Sequence, residues 1–140
     1  MWSSEINEYL KDEKDFIGCF PYDKLSSIKK KKKFSLIINT GDSQTVGEHW
    51  IAVKVNGKKC FYFDSFGLPI MNVFIKEFLK KYEKCYYSRI CIQDISSTAC
   101  GMFCIMFIKY VNSFSNYVSY MRCFSKDNLS LNDYIVKSFE

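Results

Sequence analysis

The dipeptide Asn56-Gly57 separates two runs rich in β-branched and aromatic residues, His49-Trp50-Ile51-Ala52-Val53-Lys54-Val55 and Lys58-Lys59-Cys60-Phe61-Tyr62-Phe63-Asp64. Asn-Gly between strand-like runs is the strongest local signal for a β-hairpin, because both residues tolerate the positive φ of a tight turn. A two-residue turn at Asn56-Gly57 predicts the register: Val55 faces Lys58, Val53 faces Cys60, Ile51 faces Tyr62 and His49 faces Asp64. Directly opposed residues share a face with Cβ atoms about 5 Å apart, so an imidazole and a carboxylate meet at the open end of the hairpin. A slip of one residue would put them on opposite faces.

A second constraint lies in Ser97-Thr98-Ala99-Cys100-Gly101-Met102-Phe103-Cys104-Ile105-Met106-Phe107, which reads as the start of a helix. Ser97 or Thr98 is the expected side-chain cap, which places Cys100 among unpaired N–H groups at the positive end of the helix dipole. A thiolate is favoured there. The segment is apolar almost all round to about Val111, the pattern of a buried central helix. Cys104, one turn behind, reads as a buried small hydrophobe, and Cys60 as facing the core side of the hairpin. Exposure at Cys19, Cys85 or Cys123 would by itself assign no role.

The remaining elements follow from pattern and punctuation. A short helix is expected over residues 3–13, capped by Ser3 or Ser4, with Ile6, Tyr9 and Leu10 on one face. Gly18 and Pro21 break it and leave Cys19 in a loop. Phe34 to Asn39 reads as a buried strand, Thr40 to Gln44 as a loop, and Gly47 precedes the next strand. Pro69 opens a helix with Met71, Phe74, Ile75, Phe78 and Tyr82 at helical spacing. Tyr86 to Ile92 reads as a strand ending at Gln93-Asp94. Asn112 to Asn116 breaks the central helix, and a last helix begins near Leu129 with Leu131, Tyr134, Ile135 and Phe139 on one face. Residues 1–140 are expected to form a single domain.

Composition excludes some classes. With 48% hydrophobic and 18% aromatic residues, a disordered chain is excluded. The net charge of +5 matches the run Lys29-Lys30-Lys31-Lys32-Lys33, whose default reading is a solvated loop and whose sharper reading is a DNA-binding patch or a nuclear-import signal. The seven cysteines include no Cys-x-x-Cys pair and no metal-like spacing to a histidine. That spacing implies no metal site, and an odd number without a secretory signal argues for free thiols in a reducing compartment. Met1 to Glu5 is polar where a signal peptide needs an apolar run, and no stretch approaches the roughly 18 apolar residues of a membrane span. The expectation is an intracellular protein of the nucleus or cytoplasm, or one packaged inside a particle, that is not secreted and has no membrane partner.

His49 is the single histidine of the chain. Alone it would read as structural, but it converges with Asp64, Cys100 and the polar Gln93. In a thiol hydrolase a histidine takes the thiol proton and a carboxylate holds the ring. Backbone N–H groups and a glutamine amide stabilise the oxyanion. Asp94 and Glu48 lie near these residues in sequence without a role of their own. Nothing in the sequence requires a cofactor.

Gly47-Glu48-His49-Trp50, Phe63-Asp64-Ser65-Phe66-Gly67, Gln93 and Ala99-Cys100-Gly101-Met102-Phe103-Cys104, in that order, resemble the signatures of the adenovirus protease, or adenain, family of cysteine peptidases. The order is the reverse of the cysteine-first order of papain. The resemblance extends upstream to Met1-x-Ser3-Ser4-Glu5, Gly18-Cys19 and Asn39-Thr40. It implies an α+β cysteine-protease fold, a mixed sheet packed on a central helix that carries the nucleophile. It also implies an endopeptidase that cleaves viral capsid or core precursors after small residues, with His49, Asp64, Gln93 and Cys100 at the site. Relatives occur in adenoviruses and in Polinton or Maverick-type elements. The acid here is aspartate where adenovirus enzymes typically have glutamate, and the chain is shorter than they are. The adenovirus enzyme is activated by a disulfide-linked viral peptide and by DNA. Cys85 lies in roughly the corresponding region before Gln93 with different spacing, so that role is not carried over to it. Two other readings stay open: a protease for SUMO or another ubiquitin-like modifier, which usually carries aspartate where this chain has Ala99, and an inactive nucleic-acid- or capsid-binding module.

Overall fold

The computed structural model describes residues 1–41 and 49–138. The expectations for Asp42 to Gln44, Gly47, Glu48 and Phe139 lie outside them. Strands β1 (Phe16–Pro21), β2 (Lys33–Asn39), β3 (Trp50–Asn56), β4 (Lys59–Phe63) and β5 (Lys84–Tyr87) form one sheet in that order. The central pairs, β2 with β3 and β3 with β4, are antiparallel, and the outer pairs, β1 with β2 and β4 with β5, are parallel.

Parallel neighbours need a crossover. Between β1 and β2 it is a 3₁₀ helix over Tyr22–Ser27, and between β4 and β5 it contains helix α2 (Val73–Leu79). Both pack on the same face, where Leu25, Ile75 and Phe78 join Leu36, Ile38, Ile51, Val53, Val55 and Cys60. The opposite face carries α1 (Ser3–Tyr9), α3 (Cys100–Tyr110), α4 (Phe114–Arg122) and α5 (Leu129–Lys137), packed on Ile37, Ala52, Phe61 and Phe63. With both faces covered, β2 and β3 are near-continuously apolar. The mixed sheet on a central helix is the α+β arrangement expected.

Residues Gly101 to Ile108 of α3 are buried without interruption. Phe63 stacks on Phe107 with ring centroids 4.9 Å apart, and the Tyr120 hydroxyl donates to the Phe103 carbonyl at 2.6 Å. Burying one such aromatic contributes about 1.5–3 kcal/mol. At the other end of α3, Lys54 Nζ donates to the Ile108 carbonyl at 2.6 Å and to Asn112 Oδ1 at 3.0 Å. A cation there meets the negative end of the helix dipole.

Several elements differ from expectation. The hairpin pairs Asn56 with Lys59, Val55 with Cys60 and Val53 with Tyr62. Its turn residues are therefore Gly57-Lys58, with only Gly57 at positive φ, +65°, as in a type II′ turn with glycine at its first central position. The two-residue offset leaves every side chain on its expected face. Gly18 and Pro21 do not break the chain: they belong to β1, an edge strand that absorbs an irregularity between Phe16 and Cys19, so Cys19 lies in a strand and not a loop. Helix α1 stops at Tyr9. The helix expected from Pro69 starts at Val73, because Asn72 Oδ1 caps it by accepting from Ile75 N at 3.1 Å. Its turns bury Ile75 and Phe78 and leave Met71 and Phe74 exposed. Strand β5 covers 84–87 and not 86–92, since the chain then leaves the sheet and Ile92 N binds the Ser65 carbonyl. Helix α4 begins at Phe114, inside the expected break, capped by Ser113 Oγ accepting from Asn116 N at 3.1 Å. Helix α5 turns Asn132 and Val136 inward and leaves Leu131 and Tyr134 exposed.

Two glycines separate strain from space. Gly57 has φ +65° and open room for a Cβ, whereas Gly67 has φ +63° and would place a Cβ 2.6 Å from the Ile90 carbonyl carbon. Gly57→Ala is expected to cost about 1–2 kcal/mol from the left-handed backbone alone, and Gly67→Ala to cost more than about 2 kcal/mol. Urea unfolding of the two variants measures the difference, and equal losses would contradict the close packing at Gly67.

Candidate active site

The start of β3, the end of β4 and the start of α3 converge at one place. His49 immediately precedes β3, with its carbonyl held by Thr40 N at 2.9 Å. Asp64 immediately follows β4 and is buried. His49 Nε2 lies 2.6 Å from Asp64 Oδ1, and the same oxygen accepts from Phe66 N at 2.9 Å. A carboxylate accepts, so the imidazole proton sits on Nε2. Continued past the ladder, the observed register opposes His49 to Phe66, and their rings are 4.6 Å apart. The aspartate thus reaches the histidine diagonally.

Burial opposes charge on His49, but its hydrogen bond to Asp64 and its interactions with Cys100 outweigh that, and the imidazole is pushed up from 6.5 to about 9. Its Nδ1 is buried and has no partner in ordinary hydrogen-bond geometry among the described residues. The contact with the thiol is therefore longer or more bent than a normal hydrogen bond, as is common before substrate binds.

Cys100 is the first residue of α3 and is half-buried. Burial raises its thiol. The His49 ring, the backbone N–H of Trp50, the charge of His49 and the backbone N–H of Gly101 lower it, and the lowering wins. Ionisation of the Cys100 thiol is thus favoured beside the raised imidazole of His49. The expected side-chain cap is absent: Ala99 occupies the cap position, and Ser97 Oγ accepts from Ala99 N at 3.1 Å outside the helix. The low thiol value therefore rests on the imidazole and two N–H groups, with the helix start adding to them.

Gln93 is buried and makes no hydrogen bond to the other three residues, but two serines tie it to them. The Ser65 hydroxyl donates to Gln93 Oε1, and the Ser65 carbonyl accepts from Ile92 N at 2.9 Å and Gln93 N at 3.1 Å. Gln93 Nε2 donates to the Ser97 carbonyl at 3.0 Å and lies 3.3 Å from Ser97 Oγ. Its carbonyl end is fixed beside Asp64, and its amino end points into the segment that leads to Cys100.

Sequence reasoning missed these supports. Ser65 and Ser97 act through neighbours that only the fold supplies. Asn132, fully buried in α5, donates to the Ile92 carbonyl at 2.8 Å and so steadies the chain ahead of Gln93. Met1 packs over Gly101, and the Trp50 indole donates to the Met1 carbonyl at 3.1 Å. Trp50 packs on the α3 side, as alternation predicts. Asp94 accepts from Ser96 N and Ser96 Oγ within its own turn. Cys104 is buried, its thiol pushed up, and donates to the Trp50 carbonyl at 3.3 Å. Burial also pushes the Cys19 thiol up to about 12. Among the described residues no group of three metal-ligating side chains comes together, and no helix is long and apolar enough to cross a membrane.

A histidine–carboxylate pair beside a low-pKa cysteine at a helix start is the constellation of a thiol hydrolase. The comparisons with known proteins agree in kind. The model of the adenovirus endoprotease family matches residues 16–128. The protease of avian adenovirus 8 is 30% identical over 109 residues, covering 66% of this chain and 53% of that protein. The protease of snake adenovirus serotype 1 is 28% identical over 112 residues, covering 69% and 56%. The crystal structure of the ASFV pS273R protease superposes with a TM-score of 0.55 at 17% identity, over 84% of this chain and 58% of that one. The chain belongs to the adenovirus endoprotease family. It spans about half the length of the curated relatives it matches.

The site makes a prediction about reactivity. Cys100 should react with iodoacetamide at a lower pH than an ordinary thiol, and Asp64→Asn should move its rate profile back toward the ordinary thiol range, because the imidazolium loses its partner. Peptide-resolved alkylation rates across pH measure both, and an unmoved profile would place the control of Cys100 elsewhere.

Proposed function

We propose that this chain is a cysteine endopeptidase in which Cys100 is the nucleophile, His49 the base and then the acid, Asp64 the group that orients the ring, and Gln93 an oxyanion donor. The observation that carries the reading is the 2.6 Å His49–Asp64 hydrogen bond beside a thiol held below its usual range. The thiolate attacks the scissile carbonyl carbon, and the oxyanion is met by backbone N–H groups at the start of α3 and by the amino end of Gln93 once it turns from its Ser97 partners. Collapse expels the amine, which takes its proton from His49. Water, losing a proton to His49, then hydrolyses the thioester. Asp64 stabilises the imidazolium throughout.

The substrates we infer are viral or virus-like capsid or core precursors, cut after small residues. Support comes from membership of a family whose relatives are named viral proteases. The same membership supports action within a host cell or a virion. All five of Lys29 to Lys33 are exposed, which suits DNA as an activator alongside an activating peptide; phosphate contacts of this kind carry no sequence specificity.

A peptidyl electrophile ending in Gly-Gly should label Cys100 selectively, and a matching fluorogenic peptide should be cleaved. Asp64→Asn should slow turnover roughly 10²- to 10⁴-fold while the fold is retained, and Cys100→Ala should abolish it. Stimulation by duplex DNA should fade with salt and with replacement of the five lysines by alanine. Preferential cleavage of a ubiquitin-like precursor would favour a modifier protease, and Cys100 labelling no faster than the other cysteines would favour an inactive binding module.

A further inference from the structure

A pair of thiols lies on the face of the sheet opposite α3. In the parallel ladder between β4 and β5, Cys60 stands directly opposite Cys85. Neighbouring strands are about 4.8 Å apart, within the roughly 4.4–6.8 Å that a disulfide spans between Cα atoms. Opposed residues project to the same face. Cys60 is fully buried in the cluster there, and Cys85 packs at its margin, half-buried. Cys85 also lines an open cleft of about 580 Å³ that Lys76, Lys80 and Arg89 border, against one acid, Glu83. None of the four residues of the proposed active site lines this cleft.

We propose that Cys60 and Cys85 form a dithiol site that reacts with an anionic low-molecular-weight disulfide and closes to a cross-strand disulfide. The cleft admits the small disulfide to Cys85 and no partner is needed beyond Cys60. The cations on its border favour carboxylate-bearing reagents. The two thiols interact directly, and the hydrogen bond from Cys60 lowers Cys85 while Cys60 keeps its proton. Cys85 is therefore the attacking thiol.

The steps balance. Cys85 gives its proton to solvent, and its thiolate attacks one sulfur of the reagent. The reagent's S–S bond breaks and one small thiolate leaves, to be protonated by solvent, with a mixed disulfide left on Cys85. Cys60 then loses its proton to solvent and attacks the Cys85 sulfur, and the second small thiolate departs and is protonated. The protein dithiol is oxidised to a disulfide, and the reagent is reduced to two thiols.

Oxidised glutathione is the probe, used on the full chain carrying Cys100→Ala so that the reactive nucleophile does not compete. After quenching by alkylation, peptide mapping should find the Cys60 and Cys85 peptides joined and two fewer alkylated thiols. Adding Cys60→Ser should arrest the reaction with glutathione on Cys85. If that variant fails to fold, Cys85→Ser, at the half-buried position, should leave Cys60 reduced. The uncharged hydroxyethyl disulfide should react several-fold more slowly, and the difference should shrink at high salt. Free alkylation of both cysteines after treatment, a stop at the mixed disulfide with Cys60 intact, or a link between another pair overturns the dithiol site. Equal rates for the two reagents overturn the anionic class.

Discussion

The unbroken burial of Gly101 to Ile108 holds α3 against the sheet on one side and against α1, α4 and α5 on the other. Such a helix cannot slide or rotate without opening voids, and in a close-packed interior even one methylene is felt. Its first turn is consequently delivered to a fixed point at the start of β3. Cys104 to the Trp50 carbonyl and the Trp50 N–H to the Cys100 sulfur bind the two elements at that point. Lys54 fixes the far end of the same helix to the same strand. Cys100 is half-buried at the start of a helix that is locked behind it.

The charges of the site follow from this rigidity. A histidine raised to about 9 contributes stability that is complete below its ordinary value of 6.5 and is lost as pH rises through about 9. A cysteine held below its ordinary value contributes stability that is present above that value and is lost as pH falls through the lowered one. Between the lowered thiol value and about 9, both groups are charged and each supports the other. Ser65 couples this pair to Gln93, because its hydroxyl and carbonyl both bind Gln93 while the preceding residue is Asp64. The acid and the amide are therefore placed by a single turn, and Gly67 closes that turn where no Cβ fits.

Much of this was legible in the residues themselves. Asn56-Gly57 announced the hairpin, and the apolar run after Cys100 announced a central helix. The turn moved by one residue because Gly57 takes the first central position of its turn, with Lys58 at negative φ beside it. Parity survived the move, so His49 and Asp64 still met, although Phe66 and not Asp64 continues the ladder opposite His49. Other features were illegible for physical reasons. Gly18 and Pro21 are breakers in isolation and tolerable in an edge strand with an irregular register. Met71 and Phe74 fit a helical stripe by spacing, but the Asn72 cap starts the helix later and rotates them outward. Asn132 is polar and fully buried because the chain before Gln93 needs a donor there, a requirement that no local pattern in α5 can express.

The chemistry of the site turns on His49 being a charged imidazole held by Asp64 beside Cys100. His49 is the single histidine, so its ring resonances in a nitrogen-15 NMR titration need no assignment. Both ring nitrogens should report imidazolium at neutral pH, with the Nε2 proton shifted far downfield by Asp64 and the midpoint near 9. A neutral ring at pH 7.5 that titrates near 6.5 would contradict it.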